Sequence, residues 1–177
     1  MNRAQYVVCL TLFFCSPVLA QNEAPRSEIF GGYSHNIGEA QGWNASAAVN
    51  ANRWFGVVSD FGGLRATERS QDLEGTVRAN TFLFGPQFSY RASRVKPFAR
   101  MLLGVTSIKA SATGVNESVA FSDTGFSYGA GFGLDIRLNT VVSIRAFQAD
   151  YIHTRFQEEG QHNGRLSFGI VLSFGGD

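Results

Sequence analysis

Apolar and polar residues alternate with a period of two through most of this chain. The clearest run is 165–174, where Leu166, Phe168, Ile170, Leu172 and Phe174 share one parity and Arg165, Ser167, Gly169, Val171 and Ser173 the other. Successive strand side chains point to opposite faces, so such a run has one apolar face and one small or polar face. Trp43 to Asn52 and Thr124 to Arg137 repeat the pattern, and nothing after residue 20 sustains a helical period. The alternation predicts eight strands, over 28–34, 43–52, 55–64, 80–90, 97–106, 124–137, 141–153 and 165–174. In the first, Ile29, Gly31 and Tyr33 take the apolar parity and Phe30 the other. Pro86 cannot donate to a ladder, which predicts a bulge or a broken pair in the fourth strand. The seventh strand changes phase between Arg145 and Gln148, and a β-bulge near Ala146 would put Arg145, Gln148 and Asp150 on one face.

The connections after the first, third, fifth and seventh strands, over 35–42, 65–76, 107–120 and 154–163, read as longer polar loops. Those after the second, fourth and sixth are short. A soluble sandwich turns its apolar face inward; strand after strand of this kind behind an export signal reads instead as a lipid-facing outside and a polar inside. The expected fold is therefore all-β, an eight-stranded antiparallel up-and-down transmembrane barrel with long loops outside the cell and short turns in the periplasm. Two aromatic girdles follow, with Tyr33, Trp43, Phe126 and Tyr151 at the loop end and Phe55, Phe88, Tyr90 and Phe174 at the turn end.

The first residues fit export. Arg3, the apolar run from Tyr6 to Phe14 and the small-residue site Val18-x-Ala20 make a signal peptide over 1–20, leaving 21–27 as a short periplasmic tail and 28–177 as the barrel. Cys9 and Cys15 both lie in the leader, so the mature chain has no disulfide framework and no thiolate metal site. The whole chain carries 15 bases and 14 acids; cleavage removes Arg3 and no acid, leaving formal neutrality. That argues against a nucleic-acid partner. Twenty glycines and sixteen phenylalanines suit a crowded interior inside an aromatic, lipid-facing wall.

On these residues, with Gly85-Pro-Gln-Phe-Ser-Tyr90 and the terminal strand, the chain resembles the small eight-stranded outer-membrane barrels, the transmembrane domain of outer-membrane protein A and its opacity-type relatives. The resemblance implies an outer-membrane location, lipid contact, a monomer, and insertion by the barrel-assembly machinery. It also implies that Ser167, Gly169, Leu172 and Phe174 form the family's terminal assembly signal. The chain departs from the pattern in that Gly175-Gly-Asp177 follows the terminal aromatic. The resemblance is to the barrel alone, so the peptidoglycan-binding role of larger relatives is not expected of these residues.

Little else points to chemistry. No cofactor is expected. His35, His153 and His162 have no zinc-ligand spacing. His153 with Asp150 or Glu158 would supply the base pair of a lipid-modifying enzyme, but no serine stands in a nucleophile motif. Gly129-x-Gly131-x-Gly133 places its glycines on one face, as packing room rather than a phosphate loop. What needs explaining is Asp60, Arg100, Asp135, Arg145, Asp150 and Arg165 on inward parity. Buried charges must pair, with Asp60 and Asp135 the nearest candidates for Arg100 and Arg145, and a polar plug without conduction is the expected result. The expected function is a structural or surface-interaction role, in envelope integrity or adhesion, with an extracellular ligand met through the loops. The alternatives are a lipid-modifying enzyme and a soluble periplasmic lipocalin-like barrel, which would need apolar residues inside.

Overall fold

The computed structural model describes residues 25–36, 40–70, 73–113, 118–156 and 159–175; the expected leader lies outside them. The described chain is one closed antiparallel barrel in which each strand pairs with its neighbours in sequence and the last pairs with the first. The strands are β1 (Ser27–Asn36), β2 (Gln41–Asn50), β3 (Phe55–Ser70), β4 (Leu73–Ser89), β5 (Val95–Thr113), β6 (Ser118–Arg137), β7 (Val142–Phe156) and β8 (Glu159–Phe174). Ser27, expected in the tail, already belongs to β1.

Closure is built from the register. The row Asn50, Gly56, Gln87, Arg100, Gly131, Asp150 and Arg165 runs from a bond between Asn50 N–H and Arg26 C=O to the pair Arg165–Asn36. One circuit therefore climbs ten residues along the first strand, which corresponds to a strand tilt of about 40°. At the seam Gly32 faces Gly169. A Cβ on Gly169 would stand 2.3 Å from Gly31 O and 2.5 Å from Gly32 Cα, so the seam closes on paired glycines.

Two turns use one device. Asn52 Oδ1 accepts from Trp54 N–H at 2.8 Å and Phe55 N–H at 2.9 Å; Asn139 Oδ1 accepts from Val141 N–H at 2.9 Å and Val142 N–H at 2.7 Å. Each asparagine side chain bonds its own backbone two and three residues on, which reverses the chain. Pro86 breaks a pair without shifting register. The β4–β5 ladder passes from Phe84–Leu103 to Gln87–Arg100 with the residues between unpaired, and Pro86 faces Val57 on the other side. Ala146 is the extra residue of a bulge: Leu134 pairs with Phe147 and Asp135 with Arg145. Arg145, Gln148 and Asp150 are consequently all buried inside.

The long connections are the main correction. Crossing a bilayer takes about 9–11 residues per strand, yet β3 to β6 run 16, 17, 19 and 20 residues. Much of 65–76, 107–120 and 154–163 is therefore strand, and 35–42 shrinks to the few residues between Asn36 and Gln41. These extensions invert the pattern. Below them Phe61, Phe82 and Val105 point outward and Asp60 inward. Above them Arg65, Arg78 and Lys109 point outward, while Leu64, Ala66, Val77, Ala79, Ile108 and Ala110 line the interior. The interior is charged at mid-height and apolar on its β3–β5 side above, where the sequence suggested polar loops rather than an apolar inner wall.

Deleting Ala146 should remove the bulge and turn either Arg145 or the Gln148–Asp150 segment toward lipid. An arginine facing the bilayer costs up to about 2–4 kcal/mol at the midplane. Urea unfolding in lipid vesicles should show a loss of that order or no folded protein; wild-type stability in the deletion would show that the bulge does not set the phase.

Candidate functional site

The inward parity of five strands, β3 and β5 to β8, brings the six predicted charges into one buried network. Arg100 and Asp150 flank Gly131 in the ladder row, and the missing side chain lets them meet across it. A Cβ at Gly131 would lie 2.0 Å from Asp150 Oδ1. Arg100 Nε donates to Asp150 Oδ1 at 3.0 Å, and its Nη2 to Oδ1 and Oδ2 at 2.8 Å each. Arg100 Nη2 also lies 3.0 Å from Asp60 Oδ2. Arg165 Nη2 donates to Asp60 Oδ1 at 2.6 Å and to Asp150 Oδ2 at 2.9 Å. Asn44 Nδ2 adds a bond to Asp60 at 3.0 Å, and Gln148 Nε2 ties Asp150 (2.9 Å) to Asn44 Oδ1 (3.0 Å). Each carboxylate is thus shared by two guanidiniums, the arrangement in which attraction and hydrogen bonding can offset desolvation.

A second group lies toward the turn end. Arg145 Nε donates to Asp135 Oδ1 at 2.7 Å, while its Nη1 reaches Gln148 Oε1 at 2.6 Å and so joins the two groups. The rings of Phe30 and Phe98 hold the Arg145 guanidinium between them, each centroid 4.3 Å from Cζ. Gly133 makes room for Phe98, whose Cζ would be 2.5 Å from an added Cβ. Lys96 Nζ links Asp135 (3.0 Å) to Glu28 (2.6 Å), and Arg91 Nη2 closes on Glu28 at 3.0 Å.

All six charges expected inside are there. Asp135 is the partner of Arg145, as expected; Arg100 has Asp60 and also Asp150. Glu28, Arg91 and Lys96 were missed. Glu28 shares inward parity with Phe30 as the first residue of the predicted first strand, and Lys96 shares it with Arg100 one residue below the predicted start of the fifth.

The outer features are dispersed. Tyr33, Trp43, Phe126 and Tyr151 stand outward at the loop end; Phe88, Tyr90 and Phe174 do so at the turn end, with Phe55 half-covered by Phe88 at 5.3 Å. Trp54 joins Tyr90 there at 5.7 Å. Of the terminal strand, Ser167 is buried against Ser34, Gly169 sits in the seam, and Leu172 and Phe174 point outward. His153 and His162 pair across β7–β8 with Nδ1 atoms 3.2 Å apart, and Tyr151 Oη bonds His162. His35 pairs with Gln41 and Leu166 instead. Among the described residues no three metal-ligating side chains converge. His153 and Asp150 lie on opposite faces of β7, so that proposed base pair does not form, and Glu158 lies outside the described residues.

A protein-family model described as the outer membrane protein beta-barrel domain matches residues 6–174. No curated protein matches. Among solved structures, the attachment invasion locus protein of Yersinia pestis is 23% identical over 85% of this chain and 99% of that one, with a TM-score of 0.65. It has also been solved in complex with the heparin analogue sucrose octasulfate. Neisserial surface protein A is 15% identical over 84% of this chain and 97% of its own, at a TM-score of 0.54. The N-terminal β-barrel domain of Pseudomonas aeruginosa OprF is 10% identical over 85% and 98%, at 0.51. At these identities the likeness is one of fold.

Breaking one partner of a buried pair costs about 3–5 kcal/mol, whereas removing both can be nearly neutral. Arg100→Leu should lose that much in urea unfolding. Adding Asp150→Leu leaves Arg165 with Asp60 and should recover much of the loss; adding Asp135→Leu should deepen it. Equal behaviour of the two double variants in a double-mutant cycle would remove Asp150 as the principal partner.

Proposed function

This chain belongs to the outer membrane protein β-barrel domain family and is an integral β-barrel of the outer membrane, and we propose that it acts there as a sealed, non-enzymatic barrel that binds polyanions at the cell surface. The observation that carries the reading is a row of bases on the strand extensions. Arg65 pairs with Arg78 and Arg78 with Lys109 across β3, β4 and β5, all three outward and exposed just above the apolar belt. Like charges side by side repel, and a sulfated or phosphorylated chain spanning them would relieve that repulsion. The sucrose octasulfate complex of the Yersinia pestis protein, a barrel of the same fold, supports the same chemistry here.

Separation of His153 from Asp150 supports the non-enzymatic reading, and the network at mid-height supports a plug rather than a pore. Insertion as a monomer by the assembly machinery, with the strand extensions outside the cell, completes the proposal; Ser167, Gly169, Leu172 and Phe174 would form its signal.

Protein in lipid nanodiscs should bind immobilised heparin in a salt-sensitive way, and Arg65→Gln, Arg78→Gln and Lys109→Gln together should weaken binding about tenfold or more. Unchanged binding by the triple variant would overturn the surface reading. Planar bilayers should show no stable conductance; steady open channels would make the interior a path. Phe174→Ala should lower folded protein in the outer membrane more than Phe168→Ala, and equal levels would take the signal role from Phe174.

A further inference from the structure

Above the charge network a cavity of about 320 Å³ occupies the loop end of the barrel interior. That is the lower end of the range of small-molecule sites, about 300–1,000 Å³. Its β3–β5 side is apolar, with Leu64, Val77, Ala79 and Ile108 among the wall residues, and Ile152 stands opposite. Val77 is 44% exposed although it points inward, so this wall is open to the space it encloses.

Polar groups converge on its floor. Arg165 is only 2% exposed; its Nε and Nη2 are spent on Asp150 and Asp60, and its Nη1 has no hydrogen-bond partner. Thr81 Oγ1, also buried, has none either. The two flank Gly62: a Cβ there would lie 2.6 Å from Arg165 Nη1 and 2.6 Å from Thr81 Oγ1. Glycine at this inward position leaves both groups the room they occupy at the cavity floor. Leaving such groups buried and unpaired is costly, and a ligand that accepts from them removes the cost.

We propose that this cavity is a binding site for a small neutral molecule with an apolar body and a carbonyl or hydroxyl oxygen, the oxygen accepting from Arg165 Nη1 beside Thr81 and the body lying against the β3–β5 wall. The charge arithmetic selects a neutral head. Arg165 and Arg100 are already balanced by Asp60 and Asp150 immediately below. What remains on Arg165 is hydrogen-bonding capacity, and a full anion would meet two carboxylates. The site is independent of the basic row, which faces the opposite side of the same strands.

The test titrates protein in lipid nanodiscs with 2-heptanone and follows methyl NMR signals. Saturable shifts are expected at Val77, Ile108 and Ile152, with no comparable change at the lipid-facing Leu103 and Val105. Gly62→Ala should weaken binding about tenfold. Thr81→Val keeps the shape, removes an unpaired buried hydroxyl, and should weaken binding several-fold with unfolding stability unchanged or raised. Ala66→Trp, on the wall away from the floor, should block binding by filling the space. Hexanoate, which replaces the ketone by an anion, should bind more weakly than 2-heptanone. Shifts spread equally over lipid-facing methyls would mean partition into the bilayer only and would overturn the site, as would unchanged binding in Thr81→Val and Ala66→Trp. Tighter binding of hexanoate would overturn the neutral-head assignment.

Discussion

The structure depends on one constraint: inside hydrocarbon, backbone N–H and C=O groups must be paired within the protein, because no water is there to bond them. A sheet meets it only by closing on itself. Closure makes the circuit climb ten residues, and that stagger decides which inward side chains meet. The network is a product of this geometry. Arg100 reaches Asp150 because the same ladder row carries them on either side of Gly131, and Arg165 follows Asp150 in that row. The tolerance for exceptions is small. Pro86 interrupts one side of one strand for two residues, and the register resumes unchanged beyond it.

Glycine supplies what closure requires at close quarters. Gly32 and Gly169 allow the seam, Gly131 admits a carboxylate, Gly133 admits the ring that covers Arg145, and Gly62 leaves space beside Arg165. An inward residue in an eight-stranded barrel competes with those of seven other strands for a narrow interior. Deleting a side chain at one position therefore determines what a distant residue can do. Arg145 makes the same point from the other direction: a cation held between Phe30 and Phe98 can sit near the axis because its remaining donors meet Asp135 and Gln148.

Much of this was legible in the sequence. Period two located all eight strands, and the phase conflict between Arg145 and Gln148 located the bulge at Ala146. The extensions were missed because 65–76 and 107–120 read as loop by composition. Thr76-Val-Arg-Ala-Asn80 and Ser107-Ile-Lys-Ala-Ser111 do alternate, but with the polar parity on the side that lower down carries Phe82 and Phe84 in β4 and Met101, Leu103 and Val105 in β5. A reading tuned to apolar-outside strands passes over them. Pairing within the network was only partly legible, since parity says which charges face inward while the stagger says which ones touch. Stagger is a property of the closed sheet, and no single strand carries it.

The inversion along β3, β4 and β5 also fixes the molecule vertically, much as a painted waterline marks a hull. Phenylalanines girdle the wall below the crossover and Arg65, Arg78 and Lys109 stand above it. Sinking by one residue pair would draw three bases toward hydrocarbon, at a cost that rises from about 0–1 kcal/mol each near the interface to 2–4 at the midplane. Rising by the same amount would lift Phe61 and Phe82 into water. Immersion depth is therefore written into the strands themselves, and a bilayer of different thickness would have to deform to meet the barrel.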